Sequence, residues 1–406
     1  QAEDGIRDCL LSRGLGDVYK RQMLNRNLFI LSIGQIFSFT SPVVSVLLSG
    51  IIGAGMTNIN YLATLPTALM IVGTAVGSLF ASKIMKMKGR KFGFSLASII
   101  NSFFSLICAY AVLINSFNLF CMGNLAIGLS VAFAQQYRFA ATESVETSNI
   151  PKAISLILLL GIVASLLGAN IVSVTKDFYI TTYVGSYIAM SLLTIIPFFF
   201  FLFYQNEDKV DQKEIKSQKT IFQLLSNKNI QLSILSAGVG YTTMSTLMTA
   251  TPISMKMMHG FSLFSTGIVL QLHVIGMFLP SLITGDLINK FGHKKMIYAG
   301  IIIMLSTIAT HFVFETYYGY MIGLILLGVG WNFLFVSGTS LLVVSYNKED
   351  KFLAQGLNDF VVFSSQSIGA LSAGILLFST SWKTLNLICL PLLILLLLFS
   401  LLNKKN

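Results

Sequence analysis

The chain has 406 residues, of which 54% are hydrophobic and 11% are charged, and its mean hydropathy is +0.77. A composition this apolar excludes a water-soluble fold of the same length and places the chain in a lipid bilayer. The net charge of +11 would indicate a nucleic-acid partner in a soluble protein. Here the charge lies mainly in the links between apolar segments, so we expect no nucleic-acid partner.

The first 22 residues differ from the rest of the chain. They are polar and charged, and they lack the apolar core of a signal peptide. They also resemble translated sequencing-adapter read-through, which precedes unrelated gene predictions from environmental DNA. We therefore interpret residues 1–22 as a non-native tail and take Met23 as the start of the native protein.

Twelve apolar segments follow Met23, each with about the 20 residues that a helix needs to cross ~30 Å of hydrocarbon. A polar linker of mixed charge, residues 205–229, separates the first six from the last six. The pattern predicts an all-α membrane protein with twelve transmembrane helices in two pseudo-symmetric six-helix bundles, residues 23–204 and 230–406. The predicted spans lie near residues 28–52, 59–81, 92–114, 119–141, 153–174, 181–204, 230–252, 264–288, 296–314, 319–345, 354–378 and 384–402.

The positions of lysine and arginine test this count independently. Beyond the tail, 20 of the 23 basic residues lie in alternate links or at the ends of the spans that flank them. The other links hold only Lys176, Lys256 and Lys383. Since positive charge accumulates on the cytoplasmic side of a membrane protein, we expect a multi-pass protein of the cytoplasmic (inner) membrane with both termini in the cytoplasm.

A short basic tag occurs twice, each time at the end of an apolar segment. The first copy covers residues 82–91 and the second covers residues 285–295. Gly89 and Gly292 are 203 positions apart, and Gly73 and Gly276 in the preceding segments keep the same offset. A constant offset of half the chain indicates a duplication, and parallel six-helix repeats are typical of transporters.

The tags and the twelve segments together resemble the major facilitator superfamily, whose signature after helix 2 is G-x-L-x-D-[RK]-x-G-[RK]-[RK]. The second tag matches both glycines at Gly285 and Gly292, with Asn289 in place of the acid. The first tag departs further, since Ser82 replaces the first glycine and Lys86 replaces the acid. The resemblance implies a bacterial transporter with alternating access, in which two bundles rock about a central site lined chiefly by helices 1, 4, 7 and 10.

The resemblance also implies a gate at the tag. In the family the tag arginine pairs with an acid near the end of helix 4, and Arg90 and Glu143 match these positions. The family acid lies near the start of helix 11, whose partial positive charge would repel the ammonium of Lys86. We predict that Lys86 pairs instead with Asp359, the alternative being a solvated Lys86. The predicted gating residues are Lys86, Gly89, Arg90, Lys91, Glu143, Gly285, Asn289 and Gly292.

Ionisable groups inside a span are costly and are therefore candidates for function. For Arg138, near the inner end of the fourth span, three interpretations stay open: an anion-binding or gating residue, a structural partner of Glu143 or Glu146, and snorkelling to the interface. The repeat places Trp331 on the matching face of the tenth span. There an indole would either stack on a planar or cationic ligand or pack between helices.

Polar stripes on the first and seventh spans add further cavity candidates, although Ser and Thr also bond their own helix backbone. The candidates for the substrate cavity are Gln35, Ser38, Gln135, Arg138, Tyr241, Ser245, Trp331 and Asn332.

Two titratable groups inside spans are candidates for proton coupling. His273 lies near the middle of the eighth span, and an imidazole titrates close to physiological pH. Asp359, in the eleventh span, is the other candidate. The alternative for each is a buried, hydrogen-bonded group that serves helix packing.

The motifs that are missing narrow the function. No Gly-rich loop with Lys-Ser/Thr cradles a phosphate, so we do not expect an ATP-driven pump, and no metal or cofactor spacing occurs. We predict a monomeric secondary transporter of a small organic solute, coupled to protons, with drug or metabolite efflux favoured. The alternative is an uptake carrier for a small organic nutrient or cofactor precursor. The alternatives from other classes are a membrane-embedded enzyme acting on lipid-linked substrates and a transporter-like sensor.

Overall fold

The computed structural model describes residues 25–58, 62, 65–206 and 219–402, and within these ranges it is helical without a β-strand. Ten helical segments are long and apolar enough to cross a membrane. The expectation of an all-helical, multi-pass membrane protein is therefore confirmed. The predicted tail, residues 1–22, lies outside the described residues.

The first half of the described chain contains eight helices, several of which subdivide the predicted spans. They are α1 (Arg26–Ser38), α2 (Thr40–Met56), α3 (Leu65–Leu113), α4 (Phe117–Ala134), α5 (Tyr137–Glu143), α6 (Ile150–Thr175), α7 (Val184–Thr194) and α8 (Ile196–Phe201). A 3₁₀ turn, Thr147–Asn149, precedes α6.

The second half begins with a short helix in the predicted linker. Its helices are α9 (Ile221–Leu225), α10 (Lys228–Ile253), α11 (Leu263–Phe278), α12 (Ser281–Phe291), α13 (His293–Val313), α14 (Tyr317–Val343), α15 (Lys351–Ser379) and α16 (Trp382–Leu402). A π-helical turn, Ser254–Met258, follows α10, and a 3₁₀ turn, Lys348–Asp350, precedes α15.

Glycine makes the same turn in both tags. Gly89 has φ 81° and ψ 164° and bends the 49-residue α3 between the second and third predicted spans. Gly292 has φ 84° and ψ 158° and separates α12 from α13. Backbone of this kind is open almost only to glycine because it lacks a Cβ. The duplicated glycines are thus the residues that reverse the chain at each tag.

The predicted linker, residues 205–229, has local structure where it is described. Thr220 and Gln223 form a capping box, in which each side chain bonds the other residue's backbone, and this box begins α9. Asn227 caps α10 by accepting from the backbone N–H of Asn229. Residues 207–218 of the linker lie outside the described residues.

The buried apolar side chains form separate clusters for the two halves. Two clusters draw on residues 28–204, one of them with Phe352 added. The largest cluster draws mainly on residues 232–396, with four side chains of the first half. A small fourth cluster joins Phe139 to Leu224, Leu342 and Ala354. Apolar packing is therefore dense within each half, and fewer side chains connect the halves.

The halves meet at the face of the bundle that carries Lys83, Lys86, Lys91, Lys152, Lys290 and Lys351, which we term the basic face. Ser82 of α3 donates a hydrogen bond to the carbonyl oxygen of Phe352 in α15. On the other side of this face, Gly285 of α12 lies against the backbone of Pro151 and Lys152, where an added Cβ would be 2.9 Å from Lys152 N. Each tag thus packs on a helix of the opposite half, and the basic face is closed.

Candidate functional site

A buried ion pair joins the halves just above the basic face. Arg138 Nη2 of α5 donates to Asp359 Oδ1 of α15, and the two side chains are 2% and 0% exposed. Gln136 Nε2 donates to Asp359 Oδ2 over 2.7 Å, and Asn358 Nδ2 donates to Oδ1 over 3.0 Å. Because a buried charge is tolerated only when it is paired and hydrogen-bonded, these three donors explain how Asp359 remains inside the bundle.

A break in the fourth predicted span positions two of these donors. The chain between α4 and α5, Gln135 and Gln136, leaves the regular helix. Residues two apart lie on different faces of a regular helix, so the break allows both Gln136 and Arg138 to reach one carboxylate. Arg138 Nη1 also donates to the carbonyl and side-chain oxygens of Gln135, over 2.7 and 3.1 Å.

The predicted pair between Lys86 and Asp359 is wrong. Asp359 lies eight residues into α15, a depth of about 12 Å at ~1.5 Å per residue, and Arg138 on the facing α5 occupies its carboxylate. Lys86 lies partly exposed at the surface of α3 instead. The same geometry excludes two interpretations of Arg138, since a buried guanidinium does not snorkel, Glu143 pairs with another arginine and Glu146 is exposed.

Four aromatic side chains form a cluster directly beside this ion pair. The ring of Tyr241 makes edge contacts with Trp331, Phe335 and Phe363, at centroid distances of 5.2, 5.1 and 5.7 Å. Trp331 stacks on Phe335 at 5.0 Å and an interplanar angle of 18°. The guanidinium carbon of Arg138 lies 4.8 Å from the Phe335 centroid. The aromatic cluster and the ion pair are therefore one contiguous site.

The predicted cavity residues Gln135, Arg138, Tyr241 and Trp331 come together in this site. Gln136 and Phe363 belong to it as well, although they were not predicted. Phe363 lies four residues after Asp359 on α15, and helical spacing would have placed both on one face. Nothing in the sequence marked Gln136, because its position depends on the break between α4 and α5.

Asn332, a predicted cavity residue, is instead a structural link within the second half. Its Nδ2 donates to the Met277 carbonyl and to Ser281 Oγ, both over 2.7 Å. Its Oδ1 accepts from Thr284 Oγ1 over 2.8 Å. One residue corresponds to a rotation of about 100° around a helix, so Asn332 faces α11 and α12 whereas Trp331 faces the aromatic cluster.

The remaining polar candidates of the first and seventh spans are also buried. Ser38 lies 3.0 Å from the hydroxyl of Tyr137 and so is held within the packing of the first half, not in the site. Gln35 and Ser245 are 2% and 5% exposed, and their contribution to a cavity stays a prediction.

His273 is buried inside the second half, between α11 and α14. Its Nδ1 donates to the Leu324 carbonyl oxygen over 2.8 Å, which fixes the tautomer if the ring is neutral. Its Nε2 has no hydrogen-bond partner among the described residues. The carbonyl contact explains how His273 links two helices, and its coupling role stays a prediction.

The predicted gate pair between Arg90 and Glu143 is present at the basic face. Arg90 Nε and Nη2 donate to the two carboxylate oxygens over 2.7 and 2.6 Å, a two-point contact. Arg90 Nη2 also donates to Gln355 Oε1 of α15 over 2.8 Å, and Lys351 Nζ lies 3.6 Å from Glu143. The pair within the first half is thereby tied to the second half.

A tyrosine between α14 and α15, Tyr346, completes this network. Gln355 Nε2 donates to the Tyr346 hydroxyl oxygen over 2.6 Å. Burial raises the pKa of Tyr346, so its hydroxyl stays protonated and remains an acceptor without charge. Because the Arg90 guanidinium can only donate, it fixes the Gln355 carbonyl oxygen toward itself, and the NH₂ group of Gln355 is left to donate to Tyr346.

The other predicted gating residues lie where the tags turn. The backbone N–H of Lys91 donates to Asn206 Oδ1 over 3.0 Å, beside Gly89. In the second tag, Asn289 Nδ2 donates to the Ser148 carbonyl over 2.9 Å. Asn289 therefore makes an uncharged contact between the halves at the position where the family has an acid. Among the described residues, no group of three side chains is arranged to hold a metal ion.

Comparison with known proteins shows which family has this architecture. The sequence profile of the Major Facilitator Superfamily matches residues 27–305 and again residues 233–405. The riboflavin transporter RfnT of Brucella anthropi is 32% identical over 94% of this chain and 96% of its own length. The uncharacterised MFS-type transporter YdeG of Bacillus subtilis is 28% identical over 91% of this chain and 90% of its own.

Solved structures share the fold. The transporter FucP in an outward conformation superposes with a TM-score of 0.75 at 14% identity, covering 95% of this chain and all of FucP. The human organic anion transporter MFSD10 superposes with a TM-score of 0.74 at 11% identity, covering 92% and 99% of the two chains. The chain therefore belongs to the Major Facilitator Superfamily, and it is a multi-pass membrane transporter and not an enzyme.

Proposed function

We propose that this transporter takes up a small organic nutrient or cofactor precursor, and that riboflavin is the first substrate to test. The observation that carries the proposal is the 32% identity with a riboflavin transporter over 94% of the chain. A vitamin is a cofactor precursor, so this likeness fits the uptake alternative better than drug efflux. Drug or metabolite efflux, which the sequence alone favoured, has no specific observation in its support.

The aromatic cluster supports a planar substrate. Tyr241, Trp331, Phe335 and Phe363 offer ring faces and edges at the junction of the halves. Aromatic side chains bind planar ring systems by offset stacking and edge contacts. A tricyclic isoalloxazine has the shape to replace the contacts that these rings make with one another in the closed state.

We propose twelve membrane crossings, with bundles at residues 23–204 and 230–406, the linker at 205–229 and both termini in the cytoplasm. Ten apolar segments are long enough to cross. The 49 residues of α3 have a length along the helix of about 74 Å at ~1.5 Å per residue, more than twice the ~30 Å of hydrocarbon. Since α3 also bends at Gly89, it counts as two crossings. The less apolar α10, with 26 residues, is the twelfth.

We propose proton coupling through Asp359. Protonation would remove the charge that holds Arg138, and the contact between α5 and α15 would weaken. Among the described residues, Arg138 of α5 and Tyr241 of α10 are the charged or titratable groups that face Asp359. A proton and a substrate that arrive from the open side would then favour opening of the basic face.

Reconstituted vesicles with an imposed pH gradient test substrate, direction and coupling together. A symporter accumulates riboflavin in an alkaline lumen and an antiporter accumulates it in an acidic lumen, whichever way the protein inserts. We expect accumulation in the alkaline lumen, abolished by a protonophore. Accumulation in the acidic lumen would contradict uptake. If riboflavin enters at the same rate with and without the pH gradient, proton coupling is contradicted. If the protein is folded and riboflavin does not enter, riboflavin is not the substrate.

A further inference from the structure

Four buried polar atoms of the site, three of them on side chains that bond Asp359, have no hydrogen-bond partner among the described residues. They are Gln136 Oε1, Arg138 Nε, Asn358 Oδ1 and Trp331 Nε1, and the four side chains are at most 2% exposed. Buried polar atoms in proteins are nearly always hydrogen-bonded, and each exception calls for an explanation. Three exceptions on the partners of one carboxylate and a fourth in the adjoining aromatic cluster indicate a site that is completed by a ligand.

Asp359 determines which atoms are left free. An ionised carboxylate only accepts hydrogen bonds, so Gln136 and Asn358 must both turn their NH₂ groups toward it. Their carbonyl oxygens are then the unpaired atoms, whatever the amide assignment of each side chain. The guanidinium of Arg138 is likewise held by its two terminal nitrogens, which leaves Nε–H. The site therefore offers two acceptors and two donors.

The side chains that carry these atoms adjoin one aromatic cluster. Gln136, Arg138 and Asn358 all bond Asp359 directly. The Arg138 guanidinium carbon is 4.8 Å from the Phe335 ring centroid, and Trp331 stacks on the same ring. Since Asp359 balances the charge of Arg138, the surroundings favour an uncharged ligand, flat enough to lie on the rings and carrying both donors and acceptors at one edge.

We propose that these atoms bind the imide edge of an uncharged planar heterocycle, a carbonyl, an N–H and a second carbonyl in a row. The two carbonyl oxygens accept from Arg138 Nε–H and Trp331 Nε1–H. The N–H between them donates to the free oxygen of Gln136 or Asn358. The isoalloxazine ring of riboflavin carries this edge at N3, so the inference rests on the proposed function and adds which part of the substrate is recognised.

The test compares riboflavin with N3-methylriboflavin, in which the imide N–H is blocked and the ring is otherwise unchanged. Binding to the purified full-length protein is followed by quenching of flavin fluorescence. We expect the methyl derivative to bind at least about tenfold more weakly, because it leaves a buried oxygen unpaired and introduces a clash.

Two tryptophan variants provide the matched pair. Trp331→Phe keeps a ring but removes the N–H, and we expect riboflavin to bind about 5- to 20-fold more weakly. Trp382→Phe is the control, because Trp382 is also 1% exposed with an unpaired Nε1 but packs on His311 and Tyr320. We expect Trp382→Phe to bind riboflavin like the parent protein.

The outcomes separate this inference from the proposed function. Equal binding of riboflavin and its N3-methyl derivative, with equal affinities for the two tryptophan variants, would overturn the imide assignment and leave a riboflavin transporter. Failure of the folded parent protein to bind riboflavin at all would overturn the proposed substrate and the inference with it. If Trp331→Phe does not fold, the comparison of the two flavins on the parent protein decides alone.

Discussion

Ser82 and Gly285 are 203 residues apart and make equivalent contacts with opposite halves of the protein. Ser82 lies against Phe352 and Gly356 of α15, and Gly285 lies against Pro151 and the following residue of α6. The two contacts close the basic face from both sides, but their surroundings differ. Among the described residues, the Ser82 side has a fully buried and a partly buried ion pair nearby, whereas the ion pair on the Gly285 side is exposed. Opening the basic face therefore costs more free energy on the Ser82 side than on the Gly285 side.

Gly285→Ala should open the basic face. The added Cβ would lie 2.9 Å from Lys152 N and Cα, and backbone atoms in a helix cannot move aside as a side chain can. Spin labels on exposed positions of the two halves, such as 88 and 290, should therefore report a longer distance component. The matched control is Gly267→Ala, whose Cβ meets nothing within 4 Å. Unchanged distances in Gly285→Ala would contradict the closing role of this contact.

Asp359→Asn should destabilise the protein by about 3–5 kcal/mol, because it leaves the buried Arg138 charge without a partner. Adding Arg138→Gln should recover part of that loss, since the double variant buries no unpaired charge. Thermal unfolding of the four proteins gives the double-mutant cycle. Asp177→Asn, which removes an exposed pair with Lys176 at 3.9 Å, should stay within about 0.5 kcal/mol. Additive losses in the cycle would mean that the pair is not coupled.

The apolar segments made most of the fold predictable from the sequence. Length and hydropathy locate the spans because hydrocarbon thickness fixes both, and the repeat places Gly89 and Gly292 at equivalent positions between spans, where the backbone turns. The breaks at Phe39 and between α4 and α5 were not predictable in this way. These breaks depend on how neighbouring helices pack. The hydropathy of an apolar segment is the same whether or not the helix is broken.

The site was predictable only in part. The repeat and the family resemblance implied that Arg138, Tyr241 and Trp331 share one cavity, but neither identifies the partner of each side chain. Lys86 in the tag and Arg138 in the fourth span are both basic groups toward the inner side, and the orientation of α5 is what brings Arg138 to Asp359. Asn332 was misassigned because adjacent residues on α14 face different helices.

Asn332→Leu should lower stability without changing the affinity for substrate. The leucine removes three hydrogen bonds, and the buried Met277 carbonyl and Ser281 hydroxyl lose the donor that Asn332 supplies, whereas Thr284 keeps its bond to the Pro280 carbonyl. We expect a loss of about 2–4 kcal/mol in thermal unfolding, while riboflavin binding by the folded fraction is unchanged. If Asn332→Leu binds riboflavin more weakly than Trp331→Phe does and has the stability of the parent protein, Asn332 contributes to the substrate cavity after all.

Arg90→Lys should weaken the gate although it keeps the charge. A lysine cannot reproduce the planar two-point contact with Glu143 and also reach Gln355. The expected loss is about 1–3 kcal/mol of stability, together with a larger inward-open fraction in the spin-label measurement. Lys91→Arg, on the neighbouring and more exposed side chain, is the control and should change neither quantity. A fully functional Arg90→Lys would show that charge alone holds this contact.

His273→Asn separates the two candidates for proton coupling. The amide NH₂ of asparagine can occupy the position of Nδ1 and keep the hydrogen bond to the Leu324 carbonyl, whereas the titratable ring is lost. If Asp359 is the coupling group, this variant should still accumulate substrate in an alkaline lumen, and its pH profile should match that of the parent protein. Asp359→Asn should lose the response to the gradient in whatever fraction folds. The opposite result, in which His273→Asn binds substrate but ignores the gradient, would assign the proton to the histidine, because no other titratable group is changed.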